Sequence, residues 1–305
     1  ILRAASQKIR KNDSQLMDNC EIMAEVDFAF AKANLAYEMK ATEPVLNEAG
    51  VTKLMSARHP LLPPDKVVPI DITIGDSYSM LLVTGPNTGG KTVSMKTFGL
   101  LVLMAQSGLF LPVESGSEIA VYSNIYADIG DEQSIEQSLS TFSAHMTHLV
   151  SILDKVEPED LVLLDELGAG TDPEEGAALA MAILERLLTI KATVLATTHY
   201  SELKTFAFGR EGIENACVEF DVATLRPTYR LLIGIPGASN AFAISRRLGL
   251  SESLIIRAKQ LIQADHAQFE QVINQLEKEK MLYEQMNADI ETRLRRAEQM
   301  EAKAE

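Results

Sequence analysis

The chain has 305 residues and a formal charge of −15, with 28 basic residues against 43 acidic ones. This acidic excess disfavours a broad nucleic-acid surface, because phosphates need basic partners. No run of about 18 apolar residues occurs, which argues against a membrane partner. Cys20 and Cys217 lie far apart without metal-ligand spacing, as is typical of thiols in the reducing cytoplasm, where we expect this protein.

The first stretch, residues 1–43, is predicted to be helical, because it has no proline or glycine and repeats at three- and four-residue steps. The repeating positions are Leu16, Asn19, Met23, Val26, Phe30, Ala33 and Tyr37. The stretch is either a helical connector from an upstream region or an ordinary surface helix of this domain. Because the sequence begins inside this pattern, we expect it to be a fragment of a longer protein.

Turn-forming residues open the next region. Pro44 marks a break, and residues 58–64 form a rigid, proline-rich segment. His59 in that segment lies either near a nucleotide base or in a purely structural turn. Isoleucines then alternate with polar residues over 70–74, which predicts antiparallel strands that lead into the core.

The central motif is Gly-Pro-Asn-Thr-Gly-Gly-Lys-Thr at residues 85–92. It fits the phosphate-binding pattern G-x-x-x-x-G-K-[ST], with an apolar strand before it and a helical stretch over 93–107 after it. Glycines let backbone N–H groups point at phosphate oxygens, and the helix adds its positive N-terminal end. Lys91 is predicted to reach the β- and γ-phosphates of ATP, and Thr92 to ligate Mg²⁺. The candidate nucleotide contacts are Gly85, Pro86, Asn87, Thr88, Gly89, Gly90, Lys91, Thr92 and Val93.

Short strands and one polar segment follow this motif. The strand candidates span residues 109–113, 118–122 and 126–129. A hydroxyl-rich segment over 131–143 then leads into a helix predicted over 144–156, which carries His145 and His148. Two histidines at this spacing can bind a metal, but the missing third ligand favours packed or solvated histidines.

The second chemical motif is an apolar run over 161–164 that ends in Asp165 and Glu166. The run predicts a buried parallel strand, and its carboxyl end is where open α/β sheets bind ligands. Asp165 suits the shell of Mg²⁺, and Glu166 suits the base that orients or polarises the attacking water. After a helix predicted from Pro173, a buried strand ends at His199, which is predicted to contact the γ-phosphate.

The last third is predicted to hold a strand pair at 218–221 and 228–232, a loop over 234–240 and a helix from Ser251. From Phe269 onward, apolar residues step at coiled-coil intervals among many charges. The predicted regions are a helical connector at 1–43, an ATPase domain at 44–262 and a long helix or coiled coil at 263–305.

Four motifs together resemble the ATPase domain of the MutS family over about residues 58–262. They are Gly-Pro-Asn-x-Gly-Gly-Lys at 85–91, Ser-Thr-Phe at 140–142, Asp-Glu-x-Gly-x-Gly-Thr at 165–171 and Thr-His-Tyr at 198–200. The signature loop of this chain, Ser-Ile-Glu-Gln-Ser-Leu-Ser-Thr-Phe at 134–142, lacks the glycine that mismatch-repair members carry before Ser-Thr-Phe, so the chain is more similar to the second bacterial branch, MutS-two. The resemblance implies an α/β fold, a P-loop NTPase of the ABC-ATPase type with a mixed β-sheet flanked by helices and helical extensions at both ends.

The resemblance also implies how such a domain assembles. Domains of this family form head-to-tail homodimers with ATP sandwiched between the subunits. Ser140 would touch the γ-phosphate held by the other subunit, and Asp172 would lie near the shared interface. Gln106 matches the position of an ABC-type Q-loop glutamine, and Tyr229 is a candidate for stacking on adenine.

Members of this branch suppress homologous recombination by acting on branched DNA, and they are linked to splitting collided ribosomes and thus to ribosomal RNA. They usually carry a C-terminal Smr nuclease domain, so endonuclease activity of the full-length protein is expected outside this chain. The resulting prediction is a Mg²⁺-dependent ATPase whose cycle opens and closes a clamp on DNA or the ribosome.

Two other functions were weighed against this one. An energy-coupling ATPase subunit of an ABC transporter is disfavoured, because its signature would read Leu-Ser-Gly-Gly-Gln where this chain has Ser-Leu-Ser-Thr-Phe. A non-hydrolysing scaffold held together by nucleotide is disfavoured by the intact Lys91, Asp165 and Glu166.

Overall fold

The computed structural model describes residues 2–85, 90–130, 138–221, 224, 226–237, 241–261 and separate positions between 272 and 293. The helices are α1 (Leu2–Lys11), α2 (Asp13–Met39), α3 (Lys91–Gln106), α4 (Ser138–Leu153), α5 (Pro173–Ile190), α6 (Ser201–Ala207), α7 (Ala241–Arg247) and α8 (Glu252–Leu261). The strands are β1 (Val45–Asn47), β2 (Thr52–Ala57), β3 (Ile70–Ile74), β4 (Tyr78–Thr84), β5 (Glu118–Ala120), β6 (Ile125–Asp128), β7 (Leu161–Leu164), β8 (Thr193–Thr197), β9 (Gly212–Asp221) and β10 (Arg226–Ile233).

A six-stranded sheet in the order β10-β9-β4-β8-β7-β6 forms the centre of the fold. Neighbouring strands run parallel except β10, which is antiparallel to β9. Every residue of β7 and of β8 is buried, as expected for parallel strands covered on both faces. The predicted buried strands at 161–164 and 192–198 and the predicted mixed sheet flanked by helices are therefore confirmed.

A smaller sheet in the order β1-β5-β2-β3 lies beside the large one. Its β3 pairs antiparallel with β2, not with β4, which belongs to the other sheet. The prediction that 70–74 and the strand into the phosphate loop form one antiparallel set is therefore wrong. The reason is tertiary, because the isoleucines of β3 are buried in a core shared with α3.

The strand predicted at 109–113 is also wrong. Only Leu111 makes a bridge there, to Thr42. Pro112 has no N–H to donate, which interrupts a ladder, and its carbonyl accepts the N–H of Arg58 instead at 3.0 Å. The segment is an irregular connection that fastens the end of the N-terminal region to the smaller sheet.

The side chains of β4 alternate between two apolar cores, and α3 packs with the smaller sheet in one of them. Leu81 and Val83 face the core that holds α3 and the smaller sheet, whereas Met80 and Leu82 face the core that holds α4, α5 and α6. A Cβ on Gly99 would lie 2.5 Å from Leu163 Cδ1, so α3 approaches β7 at a point where a larger residue would displace the Leu163 side chain. This close packing fixes the helix that follows the phosphate loop.

The N-terminal region is helical, as predicted, with a break at Asn12 between α1 and α2. No residue of α2 is buried over its whole described length. The Arg58 guanidinium binds the end of this helix, donating to the carbonyls of Met39 at 3.0 Å and Lys40 at 2.9 Å. Whether α2 is a connector or a surface helix stays a prediction, as do the domain boundaries.

The C-terminal extension predicted over 263–305 falls largely outside the described residues and also stays a prediction. Among the helices that the structure describes, none has the length and apolar character needed to cross a membrane.

Candidate active site

The candidate site lies where β4, β8 and β7 end side by side. Val83 pairs with Thr197, and Leu164 pairs with Ala196, so the three carboxyl ends lie in register at one edge of the large sheet. Thr84 and Asp165 directly follow the paired residues of their strands. Ligands of open α/β sheets bind at such an edge, so this edge is the candidate active site.

Lys91 is the most buried charged group at this edge, with 1% of its surface exposed. It is the first residue of α3, and its Nζ donates to the Gly85 carbonyl at 2.7 Å. Gly85 and Gly90 flank the loop with φ of 131° and 98°, a backbone region that favours glycine. Residues 86–89, with the predicted contacts Pro86, Asn87, Thr88 and Gly89, lie outside the described part of the chain. Val93, also predicted to contact nucleotide, lies in the first turn of α3.

The two predicted metal ligands are in contact. The Thr92 hydroxyl donates to Asp165 Oδ1 at 3.2 Å, and the Asp165 residue is 8% exposed. A hydroxyl and a carboxylate are the hard oxygen donors that Mg²⁺ prefers, with water and substrate phosphates completing its shell. Within the described ranges no cluster of three or more His, Cys, Asp or Glu side chains could hold a metal. The hydroxyl of Thr92 and the carboxylate of Asp165 are donors that fit Mg²⁺.

Glu166 follows Asp165 in a left-handed backbone conformation, with a φ of 49°. Such a conformation costs about 1–3 kcal/mol in a non-glycine residue and persists only where its surroundings hold it. Thr197 provides that support, because its hydroxyl accepts the Glu166 N–H at 2.8 Å and also donates to Asp165 Oδ1. One buried hydroxyl thus orients both members of the acidic pair.

The loop after Glu166 is pressed against α5. A Cβ on Gly168 would lie 2.5 Å from the Gly176 carbonyl oxygen, so two glycines allow the approach. The Tyr200 hydroxyl donates to the Gly168 carbonyl at 3.1 Å. Burial raises the pKa of Tyr200, and the nearby carboxylates of Asp172, Glu202 and Glu166 raise it further. The phenol therefore remains a hydrogen-bond donor that holds the loop in place.

His199 lies at the end of β8 and is exposed. Its ring centroid is 4.5 Å from that of Tyr200, at an interplanar angle of 38°. The preceding Thr198 donates its N–H to the Val83 carbonyl at 3.1 Å, which places His199 directly beside the strand that enters the phosphate loop. The structure thus brings His199 to the same edge as Lys91 and Glu166.

The two residues predicted to serve a dimer occupy helix starts. Asp172 is the N-cap of α5, and its side chain accepts the N–H groups of Glu174 at 3.0 Å and Glu175 at 3.3 Å. It therefore has a structural role within its own subunit in addition to the interface role predicted for it. Ser140 lies in the first turn of α4, and its side chain falls outside the described set.

Gln106 lies far from the phosphate loop. It is the last residue of α3, which begins at Lys91, so the two ends of this helix are separated by about 22 Å at 1.5 Å per residue. Both ends of its amide bond the backbone of Tyr122, at 2.9 Å through Nε2 and 3.1 Å through Oε1. The positional match to a Q-loop glutamine is therefore not supported by this placement, and the Gln106 amide joins α3 to the segment after β5.

Tyr229, in contrast, lies against the phosphate loop. A Cβ on Gly90 would lie 2.8 Å from Tyr229 Cδ1, so the ring covers the start of α3. Tyr229 has a φ of 60° and lies within the irregular register of β10, between Pro227 and Leu231. The bulge turns the ring towards the loop, which keeps Tyr229 as the candidate for a contact with the adenine.

His59, His145 and His148, which the structure describes, have structural contacts. His59 Nδ1 accepts the Leu61 N–H at 3.2 Å, and burial followed by the nearby Lys96 lowers the pKa of His59. These contacts favour the turn over a base contact. His145 and His148 both lie against the Asp128 carboxylate, which is consistent with the packed histidines that the sequence favours.

Three contributors to this edge were missed in the sequence. Thr197 was hidden because a threonine at a strand end has no distinctive pattern. The Thr84 hydroxyl accepts the Gly237 N–H at 2.7 Å and donates to the Ala216 carbonyl at 3.1 Å, which ties the loop after β10 to the phosphate loop. Asp128 was visible only as one residue of the strand predicted over 126–129.

A glycine-flanked loop with a buried lysine, a hydroxyl–carboxylate pair and an acidic strand end define a P-loop nucleotide hydrolase. Within that class, the chain belongs to the MutS family: residues 81–265 match MutS domain V, the ATPase domain of these proteins. The predicted family is confirmed, and the alternative of a transporter subunit is set aside.

Several bacterial proteins named endonuclease MutS2 are similar to this chain. It is 59% identical over 277 residues to the one from Halalkalibacterium halodurans, covering 91% of this chain and 35% of that protein. The putative endonuclease MutS2 of Bacillus subtilis is 54% identical over 292 residues, covering 96% and 37% respectively. That of Geobacillus thermodenitrificans is 53% identical over 305 residues, covering 100% and 39%. The chain thus spans little more than a third of the length of these relatives.

Proposed function

We propose that this chain is the Mg²⁺-dependent ATPase module of a dimeric MutS-like protein. The observation that carries the proposal is the hydrogen bond from Thr92 to Asp165, residues 73 positions apart. It joins the phosphate loop to the acidic strand, so nucleotide and metal ligands converge on one point. Lys91 and the helix N-terminus on one side and Glu166 on the other then face the same space.

Binding is assigned to the phosphate loop. The Lys91 ammonium would contact the β- and γ-phosphates, because its depth at the start of α3 leaves the charge in a poorly hydrated place where it acts strongly. Backbone N–H groups at Gly90 and the start of α3 would add hydrogen bonds and a favourable helix end. The other residues of the range 85–93 are proposed to contact the nucleotide too, all but Pro86 through backbone N–H groups that face the phosphates.

Thr92 and Asp165 would hold Mg²⁺, which when bound neutralises charge that builds up on the phosphates. Glu166 would accept the proton of the attacking water, and its backbone is already held for that task by Thr197. Loss of such a base typically costs about 10²–10⁴-fold in rate. His199, exposed beside the phosphate loop, would donate to the γ-phosphate.

The active unit is proposed to be a homodimer in which each nucleotide lies between two subunits. Ser140 at the start of α4 would serve the γ-phosphate bound by the partner, and Asp172 at the start of α5 would lie near the same interface. ATP binding and hydrolysis would then close and open a clamp on branched DNA or on collided ribosomes. The relatives are named endonucleases, and the nuclease activity of a full-length protein is proposed to lie outside this chain.

The catalytic part of the proposal is tested by Glu166→Gln, with Glu185→Gln as the matched control, because Glu185 is exposed and pairs with Arg210. The amide cannot accept a proton, so we expect single-turnover hydrolysis to fall about 10²–10⁴-fold while ATP binding is unchanged. Unchanged hydrolysis would show that another group activates the water.

The assembly part is tested by sedimentation and by mixing variants. ATP is expected to promote association more than ADP, because only ATP presents a γ-phosphate. Lys91→Ala and Ser140→Ala subunits, each inactive alone, are expected to regain roughly one working site per mixed dimer. A Ser140→Ala protein with normal hydrolysis and normal ATP-dependent association would refute the shared site. Full-length Glu166→Gln protein held with ATP identifies the working partner, because the trapped nucleic acid can be recovered and sequenced.

A further inference from the structure

A carboxylate with two imidazoles lies beside the candidate site but has no part in the roles above. Asp128 ends β6, and its Oδ2 lies 2.9 Å from His145 Nδ1 while its Oδ1 lies 3.1 Å from His148 Nδ1. The two histidines are three positions apart on α4 and therefore share one face of that helix. The cluster thus joins the strand that precedes residues 131–137 to the helix that follows them.

The carboxylate at the centre of this cluster is largely shielded from water, whereas the two imidazoles are more exposed. The Asp128 side chain is 11% exposed, against 29% for His145 and 54% for His148. A carboxylate at that depth needs donors for its oxygens, and here each oxygen has one imidazole, with a ring proton on Nδ1. The His145 ring is also packed on backbone, because a Cβ on Gly130 would lie 2.7 Å from its Cε1. His145 is therefore the more firmly held of the pair.

A separate contact holds the first turn of α4. A Cβ on Gly170 would lie 3.4 Å from Phe142 Cβ and 3.8 Å from its Cα. The start of α4 therefore rests on the loop that follows the acidic pair. Farther along, Leu149 and Ile152 enter the apolar core below the large sheet. The cluster lies between these two contacts and ties the middle of the helix to the sheet edge.

Asp128 also touches the strand that carries the acidic pair, since its carbonyl accepts the Asp165 N–H at 2.9 Å. The main chain of Asp128 is therefore bonded to the end of β7, while its side chain is bonded to the two histidines of α4.

We propose that Asp128, His145 and His148 are positioning residues that set α4 so that its first turn presents Ser140 to the γ-phosphate of a partner subunit. The inference rests on the proposed function, which assigns Ser140 to the partner's nucleotide.

Three substitutions at His145 test the contact. His145→Leu removes the donor and keeps much of the volume, and we expect kcat to fall about tenfold to a hundredfold, because a displacement of about 1 Å has effects of that order. The Kd of fluorescent ATP stays unchanged, since the phosphate loop is untouched. His145→Asn places an amide nitrogen where Nδ1 was and is expected to restore most of the rate, whereas His145→Gln, whose amide lies one bond farther out, is not. Val150→Ala, at a position of α4 that is 57% exposed, is the control and keeps the normal rate.

Mixing experiments separate this role from damage to the subunit's own site. If His145 acts through α4 on the partner, His145→Leu subunits regain roughly one working site per dimer when mixed with Lys91→Ala subunits. They regain none when mixed with Ser140→Ala subunits, because both variants then damage the same side of the composite site. The mixture of Lys91→Ala with Ser140→Ala, run in parallel, reports on the composite site itself.

The outcomes are distinct. Normal kcat in His145→Leu overturns the positioning role, and so does a loss that Lys91→Ala subunits fail to complement while the parallel mixture recovers activity. Failure of the parallel mixture overturns the composite site, and the inference falls with it. Thermal unfolding of each variant identifies a misfolded protein, in which case the rate of His145→Asn decides: a rate as low as that of His145→Gln overturns the role.

Discussion

Thr197→Val removes the one hydroxyl that joins the two carboxylate residues of the site. Thr197 is fully buried, its hydroxyl accepts the Glu166 N–H at 2.8 Å, and it donates to Asp165 Oδ1. Valine has nearly the same shape, so the change leaves no cavity. A hydrogen bond to a charged group contributes about 1.5–3 kcal/mol, and an orphaned buried N–H costs about 1–3 kcal/mol. We therefore expect the free energy of unfolding to fall by about 2.5–6 kcal/mol, a large part of the about 5–15 kcal/mol of a typical domain.

The assay is urea unfolding followed by single-turnover ATP hydrolysis. Hydrolysis is expected to fall about a hundredfold, because Glu166 loses the bond that holds its left-handed backbone and moves by about 1 Å. Thr97→Val is the matched control: Thr97 is 2% exposed, and its hydroxyl donates only to the Val93 carbonyl at 2.7 Å, so the loss is about 1 kcal/mol. Equal stability and equal rates in the two variants would refute the role given to Thr197.

Three further changes probe other parts of the site. Lys91→Ala is expected to abolish ATP binding, because the phosphates lose a charge-assisted contact worth about 1.5–3 kcal/mol; unchanged affinity in a fluorescent-ATP titration would remove the phosphate-loop assignment. His199→Ala is expected to slow hydrolysis more than it weakens ADP binding, and weakened ADP binding would instead indicate a structural histidine. Tyr229→Ala is expected to weaken nucleotide binding by about 1–3 kcal/mol if the ring stacks on the base, whereas Tyr229→Phe keeps the affinity; equal affinities in calorimetric titrations would place the adenine elsewhere.

Local patterns sufficed for much of the fold. The helix after the phosphate loop, the buried strands ending at Asp165 and at His199, and the strand pair formed by β9 and β10 all follow from periodicity, apolar runs and turn residues. These signals are reliable because the apolar side chains that a helix or strand buries recur at the period of that element. The pairing of β3 with β2, and not with β4, did not follow from local patterns, because it depends on how β3 packs with α3 in the tertiary structure.

The chemistry divides in the same way. Lys91, Thr92, Asp165 and Glu166 were predicted from short motifs, since phosphate and metal binding demand particular groups at fixed spacing along the chain. The role of Gln106 could not be predicted in this way, because a position along the chain does not reveal that α3 carries its last residue away from the phosphate loop.

The sequence by itself determined the class of the site, its order along the chain and the residue types that are proposed to bind phosphate and activate water. Only the tertiary structure decided that Thr197 orients the acidic pair, that Asp128 holds α4 and that Tyr229 covers Gly90. Each of these contacts joins residues that are 17 to 139 positions apart. Such contacts form between residues of different strands and helices, and they depend on the order of the strands and the packing of the helices. No local pattern along the chain predicts that arrangement.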